Sequence, residues 1–536
     1  MKNARILRNQ ITKAGLLAGL LAGGVVGVKA AGGSVTNAPA GPVAAGATNA
    51  PSSLAATNSP SPAVGTKANK GFWPRLAGAY EEQLATPAYT PPDTNAPPAQ
   101  RRGLPAPFDA PPYPDGEWQL GGTETIGDPM TQGVGPLMQS LYDGPHGQAW
   151  KDSKVQFYGW VDVSGNMSTS DKSNPSSPGP GGNAGSPGPN FPLAYDQRSN
   201  RMELNQAVLY VERTPDEFQT DHIDWGFRVS AVYGLDYSYM ISKGLFSSQI
   251  LRDHNWYGFD MPMVYGNIYI PNVAMGMNIT FGRYISAADI EAQLAPNNLM
   301  SSHSLLYAFD PYTQEGIIGT IKLNNNWTVQ AGIADGGDIA IWEKDPGNQP
   351  TGTVMLQYQS SNGKFSFYGG ANQFNNGEWG YNNLQQYVGT LSYKFTEKLW
   401  TTWESWYMYQ FDAKSGPTTS VPDINGNYPE QVHNGAAPTP YNGYAPEWAT
   451  LDYVMYRLGP KTFATVRNEM FDDIVGERTG YNSVFSEHAV GLTWWPSKIL
   501  CFRPELRFDH SYYARAYDLG TRHNQFTAQF DVMVFF

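Results

Sequence analysis

The sequence predicts an all-β chain: a transmembrane antiparallel up-and-down β-barrel of about 16 strands with a largely disordered N-terminal extension. Three observations lead there. Residues 525–536 alternate, with Phe526, Ala528, Phe530, Val532, Val534 and Phe536 on one face and Thr527, Gln529 and Asp531 on the other. Connections between strand-like segments alternate between tight turns and long polar loops. No stretch after residue 30 is apolar enough to cross a bilayer as a helix, so any crossing must use strands whose closed ladder leaves no unpaired backbone.

From the N-terminus, Lys2, Arg5, Arg8 and Lys13 precede an apolar stretch from Ala14 to Val28, and Val28-Lys29-Ala30 supplies small or apolar residues. That pattern is expected of a signal peptide over 1–30, cleaved after Ala30. Residues 31–117 are rich in Ala and Pro and are expected to be a disordered periplasmic linker, with one short helix between Trp73 and Leu84. Residues 118–152 are more apolar, with a short helix expected around 136–142, and read as a lead-in at the periplasmic rim or in the lumen. The barrel is assigned to 153–536.

In that region the periodicity is two. Val155, Phe157, Gly159, Val161 and Val163 alternate with Gln156, Tyr158, Trp160, Asp162 and Ser164. The same alternation returns around 223–233, 387–395 and 500–509. Tight turns are expected at 324–326, 361–363, 396–398, 459–461 and 496–498, and long loops at 168–200, 286–314, 412–446 and 472–483. Short turns at one end and long loops at the other describe an outer-membrane barrel. A β-sandwich could hold the strands but would not explain the loop asymmetry. Trp327, Trp400, Trp448 and Trp494 lie near strand ends and are expected to anchor the barrel at the two interfaces.

The chain carries 35 Lys plus Arg against 47 Asp plus Glu; without Lys2, Arg5, Arg8, Lys13 and Lys29 the balance is about −17. Such a surface argues against nucleic acid as a partner. The single Cys501 excludes an intramolecular disulfide and a multi-Cys metal site, and it reads as packing.

The polar face of several strands is charged: Asp224 and Arg228, Glu404, Arg467 and Glu469, and Arg503, Glu505, Arg507 and Asp509. Facing lipid, each arginine would cost about 2–4 kcal/mol at mid-depth, so these residues are expected to line the interior. They serve either as paired wall charges or as selectivity elements. The loop 286–314 carries Asp289 and Glu291 and is long enough to turn inward, where its acids would oppose the wall arginines and narrow a channel. The ordinary reading is a surface loop. His303-Ser304 in that loop could be imagined in a hydrolase site, but adjacency in sequence does not make a hydrogen-bonded pair. The remaining histidines show no metal-ligand spacing, and no cofactor is expected. Asp472 and Asp473 read as solvated rim charge or a weak cation site.

Several segments together resemble the OmpL-like family of β-barrel porins: Tyr158-Gly159-Trp160, Leu204-Asn205-Gln206, Tyr210-Val211-Glu212-Arg213, Asp224-Trp225-Gly226-Phe227-Arg228, Phe281-Gly282-Arg283-Tyr284, the run from Arg467 to Asp473, and the run from Arg503 to Asp509. The resemblance covers about 154–536 and implies an outer-membrane channel without a catalytic set. The expected function is therefore passive diffusion of ions and small hydrophilic solutes. The pore-lining or selectivity residues would be Arg228, Asp289, Glu291, Glu404, Arg467, Glu469, Arg503, Glu505 and Arg507. Expected partners are outer-membrane lipid and lipopolysaccharide, and barrel-assembly machinery acting through the C-terminal Phe536; a homotrimer is compatible with a barrel of this size. The alternative is a plugged barrel that binds or adheres through its long loops. An outer-membrane hydrolase comes third.

Overall fold

The computed structural model describes residues 70–85, 134–172 and 188–536, apart from 194, 218, 252, 254, 287, 288, 299, 344–348, 363, 377–383, 397, 412–443, 460 and 477. The expected signal peptide and most of the linker lie outside the described residues.

The barrel closes as 16 antiparallel strands. They are β1 (Val155–Ser168), β2 (Met202–Arg213), β3 (Asp224–Gly234), β4 in two pieces (Gly258–Asp260 and Val264–Ile270), β5 (Met277–Ile285), β6 (Thr313–Lys322), β7 (Trp327–Gly337) and β8 (Thr351–Gln359). β9 (Phe365–Phe374), β10 (Gln385–Lys394), β11 (Leu399–Phe411), β12 (Tyr444–Gly459), β13 (Thr462–Asp473), β14 (Ser483–Ser497), β15 (Leu500–Ser511) and β16 (Asn524–Phe535) complete it. Each strand pairs with its sequence neighbour, and β16 returns to β1 from Trp160 opposite Phe535 to Ser168 opposite Thr527. Closure leaves no sheet edge, which a strand in lipid requires. Phe536 adds a last pair of bonds, donating its N–H to Gly159 O at 2.9 Å and accepting from Gly159 N at 3.3 Å.

β4 is interrupted for a local reason. Both pieces pair with β3, and between them Pro262 offers no N–H to the ladder. The Met261 carbonyl at this break accepts from Arg283 Nη1 at 2.8 Å.

Alternation decides what faces where. Trp225 (55 % exposed) and Ile333 (58 %) belong to an outward apolar band that also includes Phe281, Ile317, Val354, Val490, Leu506 and Phe526. A band this continuous around a soluble protein would be an aggregation surface; around a membrane barrel it meets lipid. The intervening residues point inward and are buried. Among the tryptophans, Trp327 and Trp494 are exposed, whereas Trp400 is only 1 % exposed. Trp400 thus corrects its expected place as an interface anchor: it shares the inward parity of Thr402 and Glu404 and packs edge-on against Phe463.

Before the barrel, helices α1 (Phe72–Ala85), α2 (Pro136–Tyr142) and α3 (Gly147–Ser153) are formed. Val134 O accepts from Gln83 Nε2 at 3.2 Å and from Lys498 Nζ at 3.3 Å. A Cβ on Gly135 would fall 2.7 Å from Phe536 O, so the lead-in approaches the strand closure too closely for a side chain there. No helix among the described residues is long and apolar enough to cross a membrane.

Candidate functional site

The site is the inner wall of β11 and β13–β16 together with the loop 286–312, which joins β5 to β6. The loop turns into the barrel. Ile290, Leu294, Leu305, Leu306 and Phe309 are all buried, and Phe309 stacks on Phe471 of β13 with ring centroids 5.4 Å apart.

A loop carried into the interior must find partners for its backbone polar groups. The wall supplies them with charged side chains. Glu404 Oε2 accepts from Ile290 N at 2.8 Å, Glu469 Oε2 from Leu305 N at 2.9 Å, and Glu505 Oε2 from Ser302 N at 3.0 Å. The arginines take the carbonyls: Arg467 Nη1 donates to Ser302 O at 2.7 Å, Arg503 Nη1 to Ala295 O at 2.7 Å, and Arg507 Nη1 to His303 O at 2.6 Å. Carboxylates hold the loop's donors and guanidiniums its acceptors, so exchanging the two kinds of side chain would break both sets.

These charges also compensate one another along the wall. Glu469 and Glu487 are register partners, as are Glu487 and Asp509, which places three acids in one cross-strand row. Adjacent like charges destabilise a sheet. Arg467 Nε reaches Glu487 Oε1 at 2.9 Å and Arg507 Nη2 reaches Asp509 Oδ1 at 2.8 Å, relieving the row. Arg503 faces its register partner Asp531 and pairs with it through Nε at 3.0 Å. Across the interior, Arg467 Nη1 meets Glu291 Oε1 of the loop at 3.0 Å, and neither side chain touches solvent. Arg228 lies apart, on β3, with its Nε 2.7 Å from Glu212 Oε2 of β2.

Of the residues named from the sequence, Glu291, Glu404, Arg467, Glu469, Arg503, Glu505 and Arg507 come together with the loop, Asp289 sits beside Glu404, and Arg228 does not join them. His303 and Ser304 engage different partners. The Ser304 hydroxyl bonds Glu291 and caps the turn 305–308 by accepting from Tyr307 N at 3.1 Å. The His303 ring sits 2.8 Å from Ala292 O and stacks on Tyr195. Burial pushes the His303 imidazole down to about 4. Asp473 is not solvated rim charge, as expected above: it is buried, and its Oδ2 accepts from Thr479 N at 2.6 Å and Arg478 N at 3.1 Å, closing the 474–482 loop.

Glu487 and Asp531 complete the wall, though the sequence did not single them out as site residues. The signal was present, since Asp531 shares the polar face of Thr527 and Gln529, and Glu487 shares the parity of Ala489 and Gly491. Ser302 was hidden, because loop residues follow no parity.

A closed antiparallel barrel, apolar outside and charged inside with a loop drawn into it, defines a porin-like channel barrel of the outer membrane. The family model described as putative beta-barrel porin-2, OmpL-like, matches residues 154–536, and the chain belongs to that family. Among solved structures it is similar to the anion-selective porin of Comamonas acidovorans, with 10 % identity, a TM-score of 0.44, and coverage of 71 % of this chain and 99 % of that one. It is similar also to the outer-membrane channel DcaP of Acinetobacter baumannii (10 % identity, TM-score 0.40, 71 % and 97 % covered). A third is OmpT of Vibrio cholerae in trimer form (9 % identity, TM-score 0.39, 71 % and 99 % covered). No curated protein matches the chain.

Proposed function

We propose that the barrel is a diffusion porin for ions and small hydrophilic solutes, with the loop 286–312 as its constriction element. The observation that supports this best is the joint arrangement of wall and loop: a charged inner face grips a long inward loop at both its donors and its acceptors. A segment held so firmly can define a fixed opening rather than a fluctuating one. Arg503 and Arg507 act on selectivity through the loop they hold as well as through their own charge. The test is solute uptake into proteoliposomes. A small saccharide should enter at a rate set by the protein, and larger oligosaccharides progressively less. Equal exclusion of all sizes would contradict the reading.

One observation favours a second reading, a plugged barrel that works in binding through its long loops. The inner-face charges Glu404, Arg467, Glu487 and Arg507 are all 0 % exposed, where a wide aqueous lumen would wet them. Full exclusion in the uptake assay, with specific retention on a surface ligand, would move the assignment there.

A further inference from the structure

The two legs of the inward loop and the wall meet at a cluster of carboxylates, of which the grip on the loop uses only one oxygen of Glu404. Asp289 on the descending leg, Asp310 on the returning leg and Glu404 on β11 each bring one carboxylate oxygen to within 4.8 Å of the others, and all three residues are buried. Two of these groups hold an oxygen without a donor. Glu404 spends Oε2 on Ile290 N, but Oε1 meets no hydrogen-bond partner, and neither does Asp310 Oδ2. Glu404 is 0 % exposed and Asp310 3 %, so water does not satisfy those oxygens from outside. Among the described residues neither has an ion-pair partner, and Arg467 of β13 is committed to Glu291, Glu487 and Ser302. Elsewhere on this wall Glu487, Glu505, Asp509 and Asp531 each pair with an arginine. Here carboxylates converge with nothing positive between Asp310 and Glu404.

From this convergence we infer that Asp289, Asp310 and Glu404 bind a divalent cation of the calcium type, which fastens both legs of the loop to the wall. Calcium is a hard ion that takes carboxylate and carbonyl oxygens at about 2.3–2.6 Å, so two oxygens sharing one ion lie at most about 5 Å apart. The observed spread satisfies that limit. The ion would neutralise a buried like-charge cluster and satisfy the donorless oxygens in one step, with no bond made or broken. Residues 289, 310 and 404 are too far apart in sequence for any ligand spacing to reveal the site.

The test is calorimetric titration of calcium chloride into the folded full-length protein, refolded without lipopolysaccharide and freed of metal with a chelator. One saturable site with Kd near about 10⁻⁴ M or tighter is expected. The Asp310→Asn/Glu404→Gln double variant should bind at least about tenfold more weakly, since loss of an outer-shell partner alone already costs about that much in metal sites. Asp221→Asn, on an exposed turn, should bind as the wild type does. Should the double variant not refold, Asp310→Asn alone carries the comparison, since it leaves the wall strand intact. Absence of saturable binding in the wild type, or undiminished binding in the variants, overturns the site. No current is measured, so a barrel that conducts nothing would still report the ion, and a conducting barrel without binding would end only this inference.

Discussion

Arg467 on β13 and Glu291 on the inward loop meet at 3.0 Å with neither side chain exposed to solvent. The same guanidinium holds Glu487 at 2.9 Å and the Ser302 carbonyl at 2.7 Å, so a single side chain ties three parts of the interior together. Removing one partner of a buried pair leaves the others uncompensated, which is more damaging than the pair itself is stabilising.

Arg467→Met should therefore destabilise the barrel by about 3–5 kcal/mol. Denaturant unfolding and refolding in lipid would measure it. A loss under about 1 kcal/mol, the ordinary value for an exposed pair, would contradict the burial.

A double-mutant cycle of Arg467→Met with Glu291→Gln should give a coupling of about 0.5–3 kcal/mol, as expected for groups in direct contact. Additive losses would mean that wall and loop are energetically independent.

Neutralising Arg503 and Arg507 together, each to Gln, removes donors to Ala295, Asn298 and His303 of the loop and leaves Asp531 and Asp509 unpaired. The expected outcome is a shift of ion preference toward cations, read as a changed reversal potential, with faster proteolysis of the loop. An unchanged reversal potential would count against a role for these residues in selection.

The depressed His303 predicts a specific pH dependence. The unfolded chain takes up this proton near 6.5, its ordinary value, while the folded chain does not until about 4. The stability contribution is complete above about pH 6.5, falls as pH drops toward 4, and changes no further below it. The full loss corresponds to about 3 kcal/mol. Wild type and His303→Phe, which keeps a ring against Tyr195, should differ in this window, the wild type losing more between pH 7 and pH 4.5. Parallel pH profiles would show that His303 is hydrated.

Cys501 is buried on the inward face of β15. A water-soluble maleimide should leave it unlabelled in the folded barrel and label it fully after unfolding. Rapid labelling of the folded protein would mean that an aqueous lumen reaches this level of the wall.

The barrel was legible in the sequence because a strand between lipid and a polar interior has to alternate, and because tight turns carry Asn, Gly and Pro. The same parity put Arg503, Glu505 and Arg507 on one face of their strand, and in the structure all three are buried on the inner side. Trp400 shares the parity of Glu404, and the expectation of an interface anchor went wrong by weighing residue type alone. What stayed hidden is contact across the interior. Nothing in the alternation of β13 says that Arg467 meets Glu291, and nothing in the spacing of 289, 310 and 404 says that they converge. Those pairings depend on the path of a loop whose backbone is held by the wall rather than by a local pattern. Asp473 was misread for a related reason, since its partners at Arg478 and Thr479 belong to a turn that its charge did not announce.

Single-channel recording of the purified, refolded protein in a planar lipid bilayer tests the porin assignment most directly. Stepwise, ohmic openings with a defined reversal potential are predicted, and their size should increase when Arg467, Arg503 and Arg507 no longer hold the loop. Silence from protein shown to be folded and inserted, in the wild type and in those variants alike, would contradict it.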